Sequence, residues 1–206
     1  MIPKTILITS AAEKEGKSIL SLNLAAALGL NGSRVLLIDA DMRSAGLSGH
    51  LGFERNTPGS ARKDFSGLSD ALSTSEDPEI IAPFSVLPKL LALTAGSAPR
   101  YPAELLGSER MQTLVRAWTA RYDYVLIDSP PLLAVTDALI LARIADTTLL
   151  VTRHRSSTQK SLERAYHMLH HVEGRTVGVV VNDVHRNSVS FNEFYGYKGT
   201  TYYSEA

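Results

Sequence analysis

Residues 11–18 read Ala-Ala-Glu-Lys-Glu-Gly-Lys-Ser, and the last three complete a phosphate-binding pattern. The pattern G-x-x-x-x-G-K-[ST] needs a glycine where the backbone closes on phosphates. Its lysine reaches the β- and γ-phosphate oxygens, and its hydroxyl ligates Mg²⁺. Gly16, Lys17 and Ser18 fill those places, while Ala11 replaces the leading glycine. The N–H groups of such a loop and the helix N-terminus behind it form an anion site. One helix length downstream stands Val35-Leu-Leu-Ile-Asp39-Ala-Asp41-Met-Arg43, an apolar run ending in two carboxylates and a guanidinium. Core packing asks for no charge at a strand tip, so such groups must be hydrated or used. Tyr124-Val-Leu-Ile-Asp128 repeats the theme, a strand ending in an acid suited to hold a magnesium-bound water. Asp41 is either a second metal ligand or a general base toward an attacking hydroxyl. Arg43 either stabilises transferred phosphate charge or makes a surface ion pair. Any one aspartate alone is read equally well as a helix or turn cap. Three sites converging on one sheet edge argue for chemistry.

The elements that must position these groups alternate between apolar runs and amphipathic stretches, the signature of a parallel sheet covered by helices. Strands are predicted over 5–9, 34–38, 84–87, 91–94, 124–127, 147–152 and 176–181, and helices over 17–30, 67–72, 102–106, 108–122, 135–144 and 158–171. Asn31-Gly32-Ser33 stops the first helix, with the glycine suited to a left-handed cap. Residues 44–66 turn to Gly, Ser, Asn, Pro and charge, which predicts a long surface loop with one helical turn. In a parallel sheet the acidic strand ends share the carboxyl edge, where open α/β folds bind ligands. The fold class expected is α/β: a single P-loop NTPase domain, mostly parallel, with helices on both faces. It spans 1–184, and 185–206 form a flexible tyrosine-bearing C-terminal tail.

At 206 residues the chain suffices for one sizeable core. Lys+Arg and Asp+Glu are each 21, so no bulk charge argues for nucleic acid or an anionic membrane surface. The absence of cysteine removes disulfides, thiolate metal sites and cysteine nucleophiles together. No apolar run approaches the ~20 residues of a membrane span. The expected location is the cytosol. Four of the eight tyrosines, Tyr195, Tyr197, Tyr202 and Tyr203, fall in the last twelve residues. Aromatics are normally buried for their area, so several on a polar tail want a reason, either as acceptors or as a docking patch.

The combination of 10–18, the Asp39-Ala-Asp41-Met-Arg43 strand end and Leu126-Ile-Asp128-Ser-Pro-Pro131 resembles the bacterial tyrosine kinases (BY-kinases) of capsule and exopolysaccharide export. The likeness extends to Gly67-Leu-Ser-Asp-Ala-Leu72, Pro102-Ala-Glu-Leu-Leu106, Ala134-Val-Thr-Asp-Ala138 and Gly178-Val-Val-Val-Asn182, nearly the whole chain. The resemblance implies ATP and Mg²⁺ as cofactors. It makes Lys17 the Walker A lysine, Ser18 the magnesium-ligating hydroxyl, Asp39 and Asp41 the Walker A′ acids and Asp128 the Walker B acid. The catalytic set it implies is Lys17, Asp39, Asp41, Asp128 and Arg43, with Asp41 as base. The metal set is Ser18, Asp39 and Asp128. The nucleotide set is Glu15, Gly16, Lys17, Ser18 and Ile19, with Asn182 either contacting adenine or forming a turn. The tail tyrosines match a cluster phosphorylated in trans. The implied partners are further copies of the chain, tyrosine-containing proteins, and a membrane-anchored polysaccharide copolymerase, fused or separate, at the inner face of the plasma membrane. No nucleic acid is expected.

The chain departs from that pattern in places. Glu13 and Lys14 stand where the family usually has proline and glycine. Residues 44–48, Ser-Ala-Gly-Leu-Ser, lack the usual proline and histidine. The Glu-x-x-Arg-x-x-Arg helix that precedes the first strand in the family and builds a ring of subunits is not found in this sequence, so either the chain is trimmed from a longer protein or it assembles differently. Two alternatives are a MinD/ParA-like ATPase switch and an ATP-binding adaptor that regulates a copolymerase without kinase activity. The switch proteins carry a lysine five residues before the Walker lysine, where this chain has Ala12.

Overall fold

Uncharged runs of leucine, isoleucine and valine have no polar face to turn to solvent, so they form strands buried on both sides. The computed structural model describes residues 3–53, 66–74, 76–172 and 175–184. Among these residues six strands, β1 (Thr5–Ser10), β2 (Val35–Asp39), β3 (Leu90–Leu93), β4 (Tyr124–Asp128), β5 (Thr147–Arg153) and β6 (Thr176–Asn182), form one sheet. Its order is β3-β2-β4-β1-β5-β6, and every neighbouring pair is parallel. β4 therefore lies between β1 and β2. Parallel neighbours need crossovers, and helices supply them.

Helix α1 (Lys17–Leu30) and the short α2 (Gly46–His50) lie on one face, where Ala25 and Leu47 pack on Ile8, Leu37 and Leu126. The opposite face carries α3 (Leu68–Ser73), α4 (Pro102–Leu106), α5 (Glu109–Arg121), α6 (Asp137–Ala142) and α7 (Gln159–His171). There Met111, Trp118, Leu141 and Leu169 cover Leu7, Leu36, Ile127 and Leu150. Local signals set the helix ends. Ser108 and Thr158 cap α5 and α7 by accepting from the N–H groups of Met111 and Ser161. Gly32 at φ 90° closes α1: its N–H donates to Gly29 (3.0 Å) and the Ser33 N–H to Leu28 (3.1 Å), the paired bonds of a left-handed cap.

Two expectations need correction. Residues 84–87 form a turn, not a strand, with the Leu87 N–H donating to the Phe84 carbonyl at 3.1 Å. Pro83 and Pro88 flank that run and offer a ladder no N–H donors. The helix expected over 135–144 is confined to α6, because 132–134 turn first. The helical turn expected in 44–66 is α2, whereas 54–65 lie outside the described residues, as do the tail and its four tyrosines.

Candidate functional site

The phosphate loop leaves β1 at Ser10 and enters α1 at Lys17, with Gly16 at φ 92° just before the helix. No other residue suits that place: a Cβ on Gly16 would lie 1.9 Å from Asn182 Nδ2. The loop is held from within. Glu15, 2% exposed, turns its carboxylate inward, where it accepts from the Ala12 N–H at 2.8 Å and from the Ser157 hydroxyl. Asn182, at the end of β6, donates to the Glu15 carbonyl at 3.1 Å. The expected nucleotide residues Glu15 and Asn182 thus act on the loop itself, as a clamp.

In front of the loop lies a cleft of about 480 Å³ lined by Gly16, Lys17, Ser18, Ile19, Asp41 and Arg43, opposite Pro130 and Pro131. Asp39 and Asp128 are Cα partners in the β2–β4 register, and both are fully buried. Asp39 is well satisfied: Oδ2 accepts from the Ser48 N–H and hydroxyl, both at 2.7 Å, and Oδ1 from the Asp41 N–H at 3.1 Å. Burial nevertheless pushes its carboxyl up to about 6, against the lowering effect of Ser48.

Asp128 is less satisfied. The Ser21 hydroxyl lies 3.0 Å from both its Oδ1 and the Lys17 carbonyl, with one proton to give to one of them. Its buried Oδ2 has no hydrogen-bond partner among the described residues. Burial first, then the Asp39 charge, raises this carboxyl to about 7, while Ser18, Lys17 and Ser21 favour the ionised form. A buried carboxylate oxygen without a partner, beside a second carboxylate and a hydroxyl, suits a divalent cation. Among the described residues no cluster of three or more His, Asp or Glu side chains is arranged for a metal. A magnesium ion at a phosphate site needs no such cage, since phosphates and water complete its shell.

Asp41, half-buried, accepts through Oδ1 from the N–H groups of Arg43 (3.2 Å) and Ser44 (2.9 Å). Its Oδ2 carries no protein hydrogen bond among the described residues. Arg43 is paired: its Nε and Nη2 donate to the two oxygens of Asp137 at 2.9 and 3.0 Å, and the Asp137 side chain is fully buried. The surface ion pair weighed from sequence is therefore a fork onto a buried carboxylate, made at the edge of the cleft. Sequence reasoning missed Ser48, Asp137 and Ser157 as supporting residues. Ser48 and Asp137 lie inside stretches already singled out, but nothing local to Ser157 marks it.

A P-loop nucleotide-binding domain is the class that this sheet, loop and pair of acidic strand ends define. An AAA domain family matches residues 4–178. The chain is 36% identical over 197 residues to the tyrosine-protein kinase YwqD of Bacillus subtilis, covering 96% of this chain and 78% of the relative. It is 39% identical over 186 residues to the putative tyrosine-protein kinase EpsB of Ralstonia nicotianae, covering 90% of this chain and 24% of the relative. The kinase domain of the Escherichia coli tyrosine kinase ETK superposes with a TM-score of 0.80 at 29% identity, covering 91% of this chain and 70% of that one. The chain belongs to the bacterial tyrosine-protein kinases. It spans about a quarter of EpsB, so it corresponds to one part of that longer relative. Membership implies nucleotide binding with a divalent metal.

Proposed function

We propose that residues 1–184 are the kinase domain of an ATP-dependent protein-tyrosine autokinase serving exopolysaccharide or capsule export. In this reading it transfers the γ-phosphoryl group of ATP to the C-terminal tyrosines of a neighbouring copy. The carrying observation is the Asp41 Oδ2, uncommitted among the described residues, on the same cleft as Lys17. The loop N–H groups and Lys17 bind the β- and γ-phosphates and stabilise charge on the transferring group. Ser18, Asp128 and Asp39 would hold Mg²⁺, which supplies charge neutralisation at the phosphates when bound. Asp41 accepts the tyrosine hydroxyl proton as the phenolic oxygen bonds to phosphorus and the bond to the ADP oxygen breaks. Arg43, fixed by Asp137, borders the transferred phosphate. Tyr195, Tyr197, Tyr202 and Tyr203 are the acceptors, on a tail over 185–206.

No described helix is long and apolar enough to cross a membrane, and a membrane-anchored copolymerase is the partner this reading requires at the inner face. The test is incubation with Mg-ATP, alone and with a copolymerase cytoplasmic segment, followed by phosphotyrosine detection, with Lys17→Ala as control. The expected result is labelling that needs Lys17 and is mostly lost on truncation after Arg186, with nucleotide binding intact. ATP bound with no labelling under either condition would favour the adaptor or switch.

A further inference from the structure

Lys14 adopts left-handed backbone at φ 60°, two residues before Gly16 at φ 92°, while Glu15 between them does not. Such alternation turns successive N–H groups toward one side, the concavity that anions occupy. The loop backbone thus needs a left-handed residue at position 14. Glycine would supply it free of strain, whereas any L side chain there is crowded by its own Cβ. A strained non-glycine residue on a ligand cleft points to work done by its side chain.

The surroundings say what that work is. Lys14 is exposed, lines the cleft beside Lys17, and makes no ion pair or side-chain hydrogen bond among the described residues. The cleft's other long cations already serve carboxylates: Arg43 is forked onto Asp137, and the charge of the buried Lys17 favours the ionised form of Asp128. Glu13 adds negative charge at the same mouth. Each added phosphate brings negative charge toward that mouth, where Lys14 offers a cation that no buried carboxylate offsets.

We propose that Lys14 is a specificity residue whose ammonium contacts the terminal phosphate and favours nucleoside triphosphate over diphosphate. This rests on the nucleotide-binding reading above. The loop then both cradles the phosphates through its backbone and counts them through one side chain.

The test measures ATP and ADP dissociation constants, each with Mg²⁺ at fixed ionic strength, for the unaltered chain and for Lys14→Met, Lys14→Arg and Lys14→Gly. Lys14→Met keeps length and strain but removes charge. It should weaken ATP binding about two- to fivefold, the scale of one exposed charge contact, with ADP changed far less. Lys14→Arg should keep the preference. Lys14→Gly should lose it like methionine while raising the urea unfolding midpoint, which separates charge from strain. The preference should also shrink as salt rises. An ATP-to-ADP ratio unchanged in Lys14→Met, or equal weakening of both nucleotides, would overturn the proposal. Absence of binding to the unaltered chain would sink the nucleotide reading and this one together.

Discussion

Asp39 and Asp128 occupy one register position on neighbouring parallel strands, so two fully buried carboxyl groups stand at adjacent strand ends. Burial raises Asp39 to about 6, and burial with its neighbour's charge raises Asp128 to about 7. In the unfolded chain both titrate at about 3.9. Between pH 4 and 7 the folded chain therefore holds protons that the unfolded chain has released. Stability falls as pH rises through that window and levels off above 7. Asp123, held down to about 2 by Arg34, acts only below the window. The urea midpoint of the metal-free chain should drop from pH 4.5 to 7.5, and Asp128→Asn should flatten the drop. Added Mg²⁺ should stabilise more at pH 7.5 than at pH 5. A midpoint that rises with pH would show hydrated, ordinary carboxylates.

Ser48 serves two masters: its hydroxyl donates to Asp39 at 2.7 Å and accepts from the Ala95 N–H at 3.1 Å. Ser48→Ala removes both and leaves a buried N–H without an acceptor. Chemical denaturation should show a loss of about 1–3 kcal/mol. Ser48→Thr, which keeps the hydroxyl, should lose less.

The Arg43 fork holds a carboxylate that has no access to water. Arg43→Ala strands that charge; with Arg43 itself 44% exposed, the cost should be about 2–3 kcal/mol, below the full buried-pair range. Arg43→Lys should recover little, since a point charge cannot make both bonds. A double-mutant cycle with Asp137→Ala reads the coupling. Additive losses would mean that the fork contributes nothing.

Gly16→Ala should abolish nucleotide binding. The new Cβ meets Asn182 Nδ2, which is tied to the Glu15 carbonyl, and the left-handed φ adds about 1–2 kcal/mol of strain. Combining it with Asn182→Ala relieves the collision alone. Stability should partly recover in the double variant while nucleotide titration stays flat.

β2 and β4 were legible because each is a short apolar run with a carboxylate placed at one end, a pattern that a parallel strand covered on both faces explains. Helix ends at Ser108, Thr158 and Gly32 were legible because capping is local. The turn at 84–87 shows the limit: leucine, valine and phenylalanine pull toward strand, and the flanking prolines override them. Of the site, the acids and the loop lysine could be read from type and spacing. Glu15 turning inward could not, because its partner Ser157 lies 142 residues away and bears no local mark. The Arg43–Asp137 fork, spanning 94 residues, was hidden for the same reason.

The position of β4 has a consequence for assembly. It separates the strand that carries the phosphate loop from the strand that carries Asp39 and Asp41, and hydrogen-bonds to both. Pairs such as Ile8 with Asp128 join residues 120 positions apart. No local hairpin can build this site, and loop-closure entropy must be overcome before the two halves meet. Site formation and global folding are then a single event. Amide hydrogens at the ends of β2 and β4 should exchange only as fast as the whole domain opens, and a fragment ending before β4 would hold a phosphate loop with nothing beside it.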